Sequence, residues 1–212
     1  MRSVIFDMDG VIFDSERAIY NLWKELSEKY GFGDIYEVYI QCIGVNLEAT
    51  RKIFTDHYGP DFPYQEYQDE ESRMYHERYD GGNLPLKPDI REVLEYIKGK
   101  GYKIAIASST RSAQVRKQIE NAGLLHYFDV IVGGDMVTKS KPDPEVFYKA
   151  AELLGAEPSD TVVIEDSFNG IRAAHAGGFI PVMVPDMLPP DDEMREKARY
   201  IFESLKEVKS IL

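Results

Sequence analysis

From residue 89 onward the chain alternates between two kinds of segment. "DIREVLEYIKGKG" carries apolar residues at helical spacing, and "YKIAIAS" follows as a short apolar run. The pattern then repeats as "SAQVRKQIENAG" and "DVIVGG", "PEVFYKAAELLG" and "TVVIED", and "NGIRAAHAGG" and "IPVMV". A short "RYIF" and a final helix "SLKEVKSIL" close the chain. Apolar residues three and four apart mark a helix that buries one face, and short continuous apolar runs mark strands buried on both faces. Helices placed between such strands imply right-handed crossovers and a parallel sheet covered on both sides. The expected fold class is therefore α/β, a Rossmann-like parallel-sheet core with helices on both faces.

One more strand stands at the N-terminus, in the run Val4, Ile5, Phe6. No convincing strand pattern follows between residues 15 and 82. "SERAIYNLWKELSEKYG" sets Ile19, Leu22, Trp23, Leu26 and Tyr30 on one helical stripe, with Gly31 suited to the end of that helix. Asn46 could cap "LEATRKIFTDHYG", and "YQEYQDEESRMYHERY" reads as a polar, Tyr-rich helix after Pro63. "DGGNLPLKPDI" then breaks the pattern with Gly81, Gly82, Pro85 and Pro88, as a return linker would. The expected organisation is a core made of residues 1–14 and 83–212, interrupted by an all-helical domain at 15–82.

Bulk properties narrow the partners. The chain has 212 residues and a formal net charge of −12, a balance that argues against a nucleic-acid groove or an anionic membrane surface. Its single cysteine, Cys42, excludes an intrachain disulfide and fits a reducing cytosol. No apolar run approaches the ~20 residues of a membrane span, and no signal-peptide pattern is visible. The expectation is a soluble cytoplasmic protein, working as a monomer, with a homodimer as the alternative.

In open parallel sheets, ligands bind outside the carboxyl ends of the strands. Asp7 and Asp9 follow the first strand, Ser108 and Ser109 follow "KIAIA", Lys141 lies in "TKSKPDPE", and Glu165 and Asp166 end "TVVIED". Two carboxylates about 4 Å apart repel by roughly 1 kcal/mol in water and about 4 at an effective dielectric near 20. A divalent ion between Asp7, Asp9 and Asp166 would turn that cost into a binding site, and oxygen ligands without Cys or His suit a hard ion such as Mg²⁺. A lysine and a hydroxyl beside it would suit an incoming phosphate. Gly10 would let the backbone turn sharply and approach the ligand. The four histidines, His57, His76, His126 and His175, show no metal spacing.

"DMDG" at 7–10, Ser108 after "KIAIA", Lys141 in "SKPDPE" and "IEDSFNGIRAAHAGG" at 164–178 resemble the four ordered motifs of the haloacid dehalogenase superfamily. The forms of the last two look most like its β-phosphoglucomutase-like and phosphoglycolate-phosphatase-like members, which carry a helical cap between the first and second motifs. The resemblance covers the whole chain. It implies that Asp7 attacks phosphorus to form an aspartyl phosphate, and that Asp9 protonates the leaving oxygen and then activates water. Asp166 would hold Mg²⁺, with Asp7, the Asp9 backbone carbonyl and Glu165, directly or through water. Ser108 would hydrogen-bond the transferring phosphoryl group and Lys141 would neutralise charge on it. Gly10 and Ser109 are expected beside the substrate, and Asn46 and Arg51 are expected to read it from the cap, where "GVNLEAT" resembles the family's recognition loop. Arg17, Tyr20, Trp23, Arg73, His76 and Arg78 are further cap candidates, with core packing the stronger reading for Trp23.

The implied activity is a Mg²⁺-dependent phosphatase acting on a small phosphorylated metabolite, such as a sugar phosphate. Ile19 and Leu47 stand where β-phosphoglucomutases commonly carry a histidine and an arginine, which favours hydrolysis. A phosphosugar mutase is the alternative, and a catalytically silent binding module is the third reading.

Overall fold

The computed structural model describes residues 3–43 and 47–212. They fall into two compact units, Ser15–Pro85 and the pair of segments Met1–Asp14 and Leu86–Leu212. The inserted unit holds α1 (Ser15–Tyr30), α2 (Tyr36–Cys42), α3 (Leu47–Tyr58) and α4 (Tyr64–Tyr79), with no strand among its described residues. The other unit holds α5 (Ile90–Gly99), α6 (Ser112–Asn121), α7 (Glu145–Leu154), α8 (Phe168–Ala176) and α9 (Asp192–Lys197). Its strands are β1 (Ser3–Phe6), β2 (Lys103–Ala107), β3 (Val130–Val132), β4 (Thr161–Glu165), β5 (Ile180–Met183) and β6 (Tyr200–Ile201).

The six strands form one sheet in the order β3-β2-β1-β4-β5-β6, and every pairing is parallel. β1 lies between β2 and β4, with Phe6 opposite Ile106 on one side and Ile164 on the other. Ile5, Ala105 and Val163 share one face and pack with Val146, Phe147 and Ala150 of α7 and Ala173 and Ala174 of α8. Val4, Phe6, Ile104, Ile106, Val162 and Ile164 on the other face are also buried. Phe128 meets the edge of Phe6 there, at 6.4 Å between ring centres. Burial on both faces explains why these strands read as continuous apolar runs.

Local chemistry sets the helix ends. Gly155 follows α7 with φ 65°, the left-handed turn that ends many helices at little cost to glycine. Ser167 caps α8 by accepting a bond from Gly170 N at 3.1 Å, and Asp191 caps α9 from Met194 N at 2.8 Å. The expected final helix is instead a 3₁₀ segment, Leu205–Ser210. With three residues per turn, Leu205 and Val208 fall on one face, and both are buried. α9 leaves no helical period in the sequence, because it is six residues long and buries only Met194.

The inserted unit is held together by rings. Phe54 is fully buried, with ring centres of Trp23, Phe62, Tyr64 and Tyr67 at 4.9, 5.1, 5.4 and 5.5 Å. Tyr67 Oη donates to the Trp23 carbonyl at 2.6 Å, which ties α4 to α1. The stripe expected on α1 is narrower than its spacing suggested. Leu22 and Leu26 are buried, Ile19 and Trp23 are half-buried, and Tyr30 is exposed. Among the described residues, no helix is long and apolar enough to cross a membrane.

Candidate active site

Three neighbouring strands deliver the site. Asp7 follows β1 and its backbone N–H bonds to Ile164 O at 3.0 Å, so the ladder between β1 and β4 runs one residue past the strand. That places Asp7 beside the end of β4, where Glu165 is its last residue and Asp166 the next. Asp7, Glu165 and Asp166 each offer a carboxylate oxygen, and these oxygens lie within 4.8 Å of one another.

Lys141 comes from the loop before α7. Its ammonium donates to Asp7 Oδ1 at 2.5 Å, Glu165 Oε1 at 2.6 Å and the Ala107 carbonyl at 3.2 Å, and it lies 4.9 Å from the centre of the Phe147 ring. Both acids and the lysine are almost wholly shielded from solvent. Such a buried pair is costly to break, because removing one partner strands a charge in a low dielectric. Burial pushes the Asp7 carboxyl up to about 8, with Glu165 and Asp9 acting in the same direction and Lys141 pulling against them. Burial lowers the Lys141 pKa, but the charges of Asp7 and Glu165 outweigh it and hold the ammonium above its ordinary value.

When ionised, three carboxylates against one ammonium leave two negative charges in excess, the charge a divalent cation would neutralise. The donor set is all oxygen, which suits a hard cation. The backbone also leaves room around Asp166. Gly10 has φ 76°, and a Cβ built there would fall 2.1 Å from Asp166 Oδ2, so any side chain would displace that carboxylate. The residues therefore fit a divalent metal.

Asp9 lies on a closed turn. Ile12 N and Phe13 N both bond to Met8 O, and Gly10 N bonds to Phe13 O at 2.9 Å. Thr110 Oγ1 donates to Asp9 Oδ2 at 3.3 Å. Ser108 is buried after β2, bonded through its own N–H to Val132 O and accepting Thr110 N on its hydroxyl at 3.0 Å. It does not cap α6, whose preceding residue is Arg111. Ser109 is exposed, and its carbonyl lies where a Cβ on Gly134 would come to 2.3 Å. The sheet thus brings together Asp7, Glu165, Asp166 and Lys141, with Gly10 against Asp166 and Asp9 beside Thr110.

Candidates of the inserted unit belong to a separate compact body. Asn46 lies outside the described residues, and Arg51 is exposed on α3. Arg73 pairs with Glu77 at 3.1 Å, His76 with Asp80 at 3.3 Å and Arg78 with Glu25 at 2.9 Å, the ordinary engagement of a solvated surface.

Two contributors were not singled out from sequence. Ser167 donates to Glu165 Oε2 at 2.9 Å from its hydroxyl and also from its N–H, holding the carboxylate that faces Lys141. Gly170 supplies the space: a Cβ there would sit 1.9 Å from Glu165 Cδ. Both lie within "EDSFNG", and only the packing of α8 against Glu165 gives them their work.

The chain matches the model of the haloacid dehalogenase-like hydrolases over residues 4–184. It is 32% identical over 183 residues to the phosphorylated carbohydrates phosphatase of Thermotoga maritima, covering 84% of this chain and 82% of that protein. It is 30% identical over 217 residues to the β-phosphoglucomutase of Bacillus subtilis, covering 98% and 95%. A solved structure of a candidate β-phosphoglucomutase from Thermotoga maritima superposes with a TM-score of 0.78 at 29% identity, covering 100% of this chain and 98% of that one. With its motifs on adjacent strand ends and its match over most of its length, the chain belongs to the haloacid dehalogenase-like hydrolase family, among relatives of the β-phosphoglucomutase and phosphoglycolate phosphatase kinds.

Proposed function

We propose that the protein is a Mg²⁺-dependent phosphatase of small phosphorylated carbohydrates, working through an aspartyl phosphate on Asp7. The observation that carries this reading is the Lys141 ammonium bridging Asp7 and Glu165, with Asp166 completing an oxygen cluster at the ends of adjacent strands. The activity named for the Thermotoga maritima phosphatase supports the substrate class.

Asp7 forms a bond from a carboxylate oxygen to phosphorus while the ester P–O bond breaks. The departing oxygen takes its proton from the Asp9 carboxyl. In the second half, the Asp9 carboxylate takes a proton from water as that water's oxygen bonds to phosphorus, and Asp7 and inorganic phosphate separate. Ser108 and Lys141 hold the phosphoryl oxygens, with Ser109 and the Gly10 backbone beside them, so that positioning and charge stabilisation carry the rate. Asp7, Asp166, Glu165 and the Asp9 carbonyl would hold Mg²⁺, which supplies positive charge against the phosphoryl oxygens. Reading of the leaving group is assigned to the helical insertion at 15–82, through Asn46 and Arg51.

A panel of sugar phosphates and other alkyl phosphates tests the reading. Phosphate release that requires Mg²⁺ and vanishes in Asp7→Asn is expected. No release from any ester, or an Asp7→Asn enzyme as active as wild type, would overturn it.

A mutase is the second reading, favoured by the 30% identity to the Bacillus subtilis β-phosphoglucomutase across nearly the whole chain. Formation of glucose 6-phosphate from β-glucose 1-phosphate, with an activating bisphosphate present, would establish it. Ile19 and Leu47 favour the phosphatase.

A further inference from the structure

A second ionic cluster stands at the same end of the sheet, outside the carboxylates already described. Lys87 donates to Asp186 Oδ1 at 2.7 Å and Asp14 Oδ1 at 3.3 Å. Asp186 follows β5, and its side chain is only 2% exposed, against 17% for Lys87 and 22% for Asp14. Asp186 Oδ2 is buried with no hydrogen-bond partner among the described residues, so Lys87 is the cation seen to balance that carboxylate.

The backbone of Lys87 is committed as well. Its N–H donates to Ile12 O at 2.9 Å, and Leu86 forms an antiparallel bridge with Phe13. Phe13 O in turn accepts Gly10 N, and Phe13 bridges to Asp9. The turn Met8–Phe13, which presents Asp9, is therefore fastened on its far side to Leu86 and Lys87. Lys87 is fastened through its ammonium to the end of β5. Thr110 holds Asp9 from the other direction.

The geometry points to Lys87 as a positioning residue for Asp9, with Asp186 as its anchor. This rests on the assignment of Asp9 as the proton carrier. Lys87 touches no reacting atom. It fixes the turn, so that the Asp9 carboxyl stays in reach of the departing oxygen, and a displacement on the order of 1 Å in such a group can cost about 10²-fold. Asp14, the last residue before the insertion, shares the ammonium.

The test uses two esters that differ in their need for a proton. p-Nitrophenyl phosphate releases a phenolate that leaves unaided, whereas the best alkyl phosphate of the panel above must have its oxygen protonated as it leaves. kcat and KM are measured on both for wild type, Lys87→Met, Asp186→Asn, Lys87→Arg and Asp9→Asn. Lys87→Met and Asp186→Asn are expected to lose about tenfold or more in kcat/KM, which covers only the steps through phosphoryl transfer to Asp7, on the alkyl ester beyond any loss on the aryl ester. Lys87→Arg is expected to recover most of that loss. Asp186→Asn keeps a side chain of the same shape and leaves Lys87 facing Asp14, so it guards against misfolding of Lys87→Met. Equal losses of kcat/KM on both esters in the Lys87 and Asp186 variants, with a selective loss in Asp9→Asn, would overturn the positioning role while leaving Asp9 in place. Equal losses of kcat/KM on the two esters in Asp9→Asn itself would remove Asp9 as the acid for the leaving oxygen, and this inference with it.

Discussion

The sheet unit and the helical unit bury their interiors with different side chains. The sheet packs Val4, Ile5, Ile104, Ile106, Val163 and Ile164 in register, whereas the helical unit interlocks Trp23, Phe54, Phe62, Tyr64 and Tyr67. Strand register fixes position to the residue, so a polar group placed one step beyond a strand has its neighbours determined in advance. Asp7 meets Glu165 and Asp166 for that reason. Rings around Phe54 pack the helical unit, and among its described residues Arg73 pairs with Glu77, His76 with Asp80 and Arg78 with Glu25 on the surface. Strand register sets position to the residue in the sheet unit, whereas ring packing sets it in the helical unit.

The largest effect that would break this contrast is on turnover. Asp7→Asn is expected to lower kcat by about 10⁴-fold or more, because no nucleophile remains. Arg51→Ala is expected to change KM by about tenfold or less and to leave the aspartyl phosphate intact. Steady-state kinetics on the preferred ester compares the two directly. Equal losses would place recognition and chemistry on the same footing and dissolve the division.

Stability gives the next contrast. Phe54→Ala removes the ring at the centre of the aromatic core and should cost about 3–5 kcal/mol, seen as loss of urea resistance. Gly170→Ala should cost about 1–3 kcal/mol by overpacking, yet remove far more activity than Phe54→Ala does in folded protein, because its methyl group displaces Glu165. Denaturant melts alongside kcat separate the two kinds of damage.

The smallest effect is electrostatic. An acid whose pKa is higher folded than unfolded holds its proton more tightly in the fold, so its contribution to stability falls as pH rises between the two values. Asp7 is raised from 3.8 to about 8, and asparagine has no such proton to lose. In chelator, the Tm of Asp7→Asn should gain on wild type between about pH 5 and about pH 8, by ~2 °C or more. Adding Mg²⁺ should reverse that trend by stabilising wild type more than the variant. A wild type that gains on Asp7→Asn with rising pH in chelator would contradict the assigned direction.

Much of the sheet unit was legible because each of its signals is local. Apolar runs gave the strands, and their order placed Asp7, Lys141, Glu165 and Asp166 at one rim. The clamp on the Asp9 turn was not legible. Lys87 and Asp186 are 99 positions apart, and their pairing depends on β5 lying two strands from β1. Ser167 and Gly170 were visible as letters of a motif but not as the groups that shape Glu165. In the helical unit the spacing on α1 overstated the buried stripe. Aromatic side chains that snorkel or stack at a rim follow the same period as those in the core, as Tyr30 shows at 40% exposure.

The central claim is that Asp7 carries the phosphoryl group. Asp9→Asn should slow release of that group more than its formation on an aryl ester, so acid quenching during turnover of p-nitrophenyl phosphate should trap it. Tandem mass spectrometry of the fragment bounded by Arg2 and Arg17, which contains Asp7, Asp9 and Asp14, then locates it. A phosphoryl group on Asp7, absent from an Asp7→Asn/Asp9→Asn double variant, is the predicted result. Phosphate release at wild-type burst rates with no label on this fragment, or label on another residue, would contradict it.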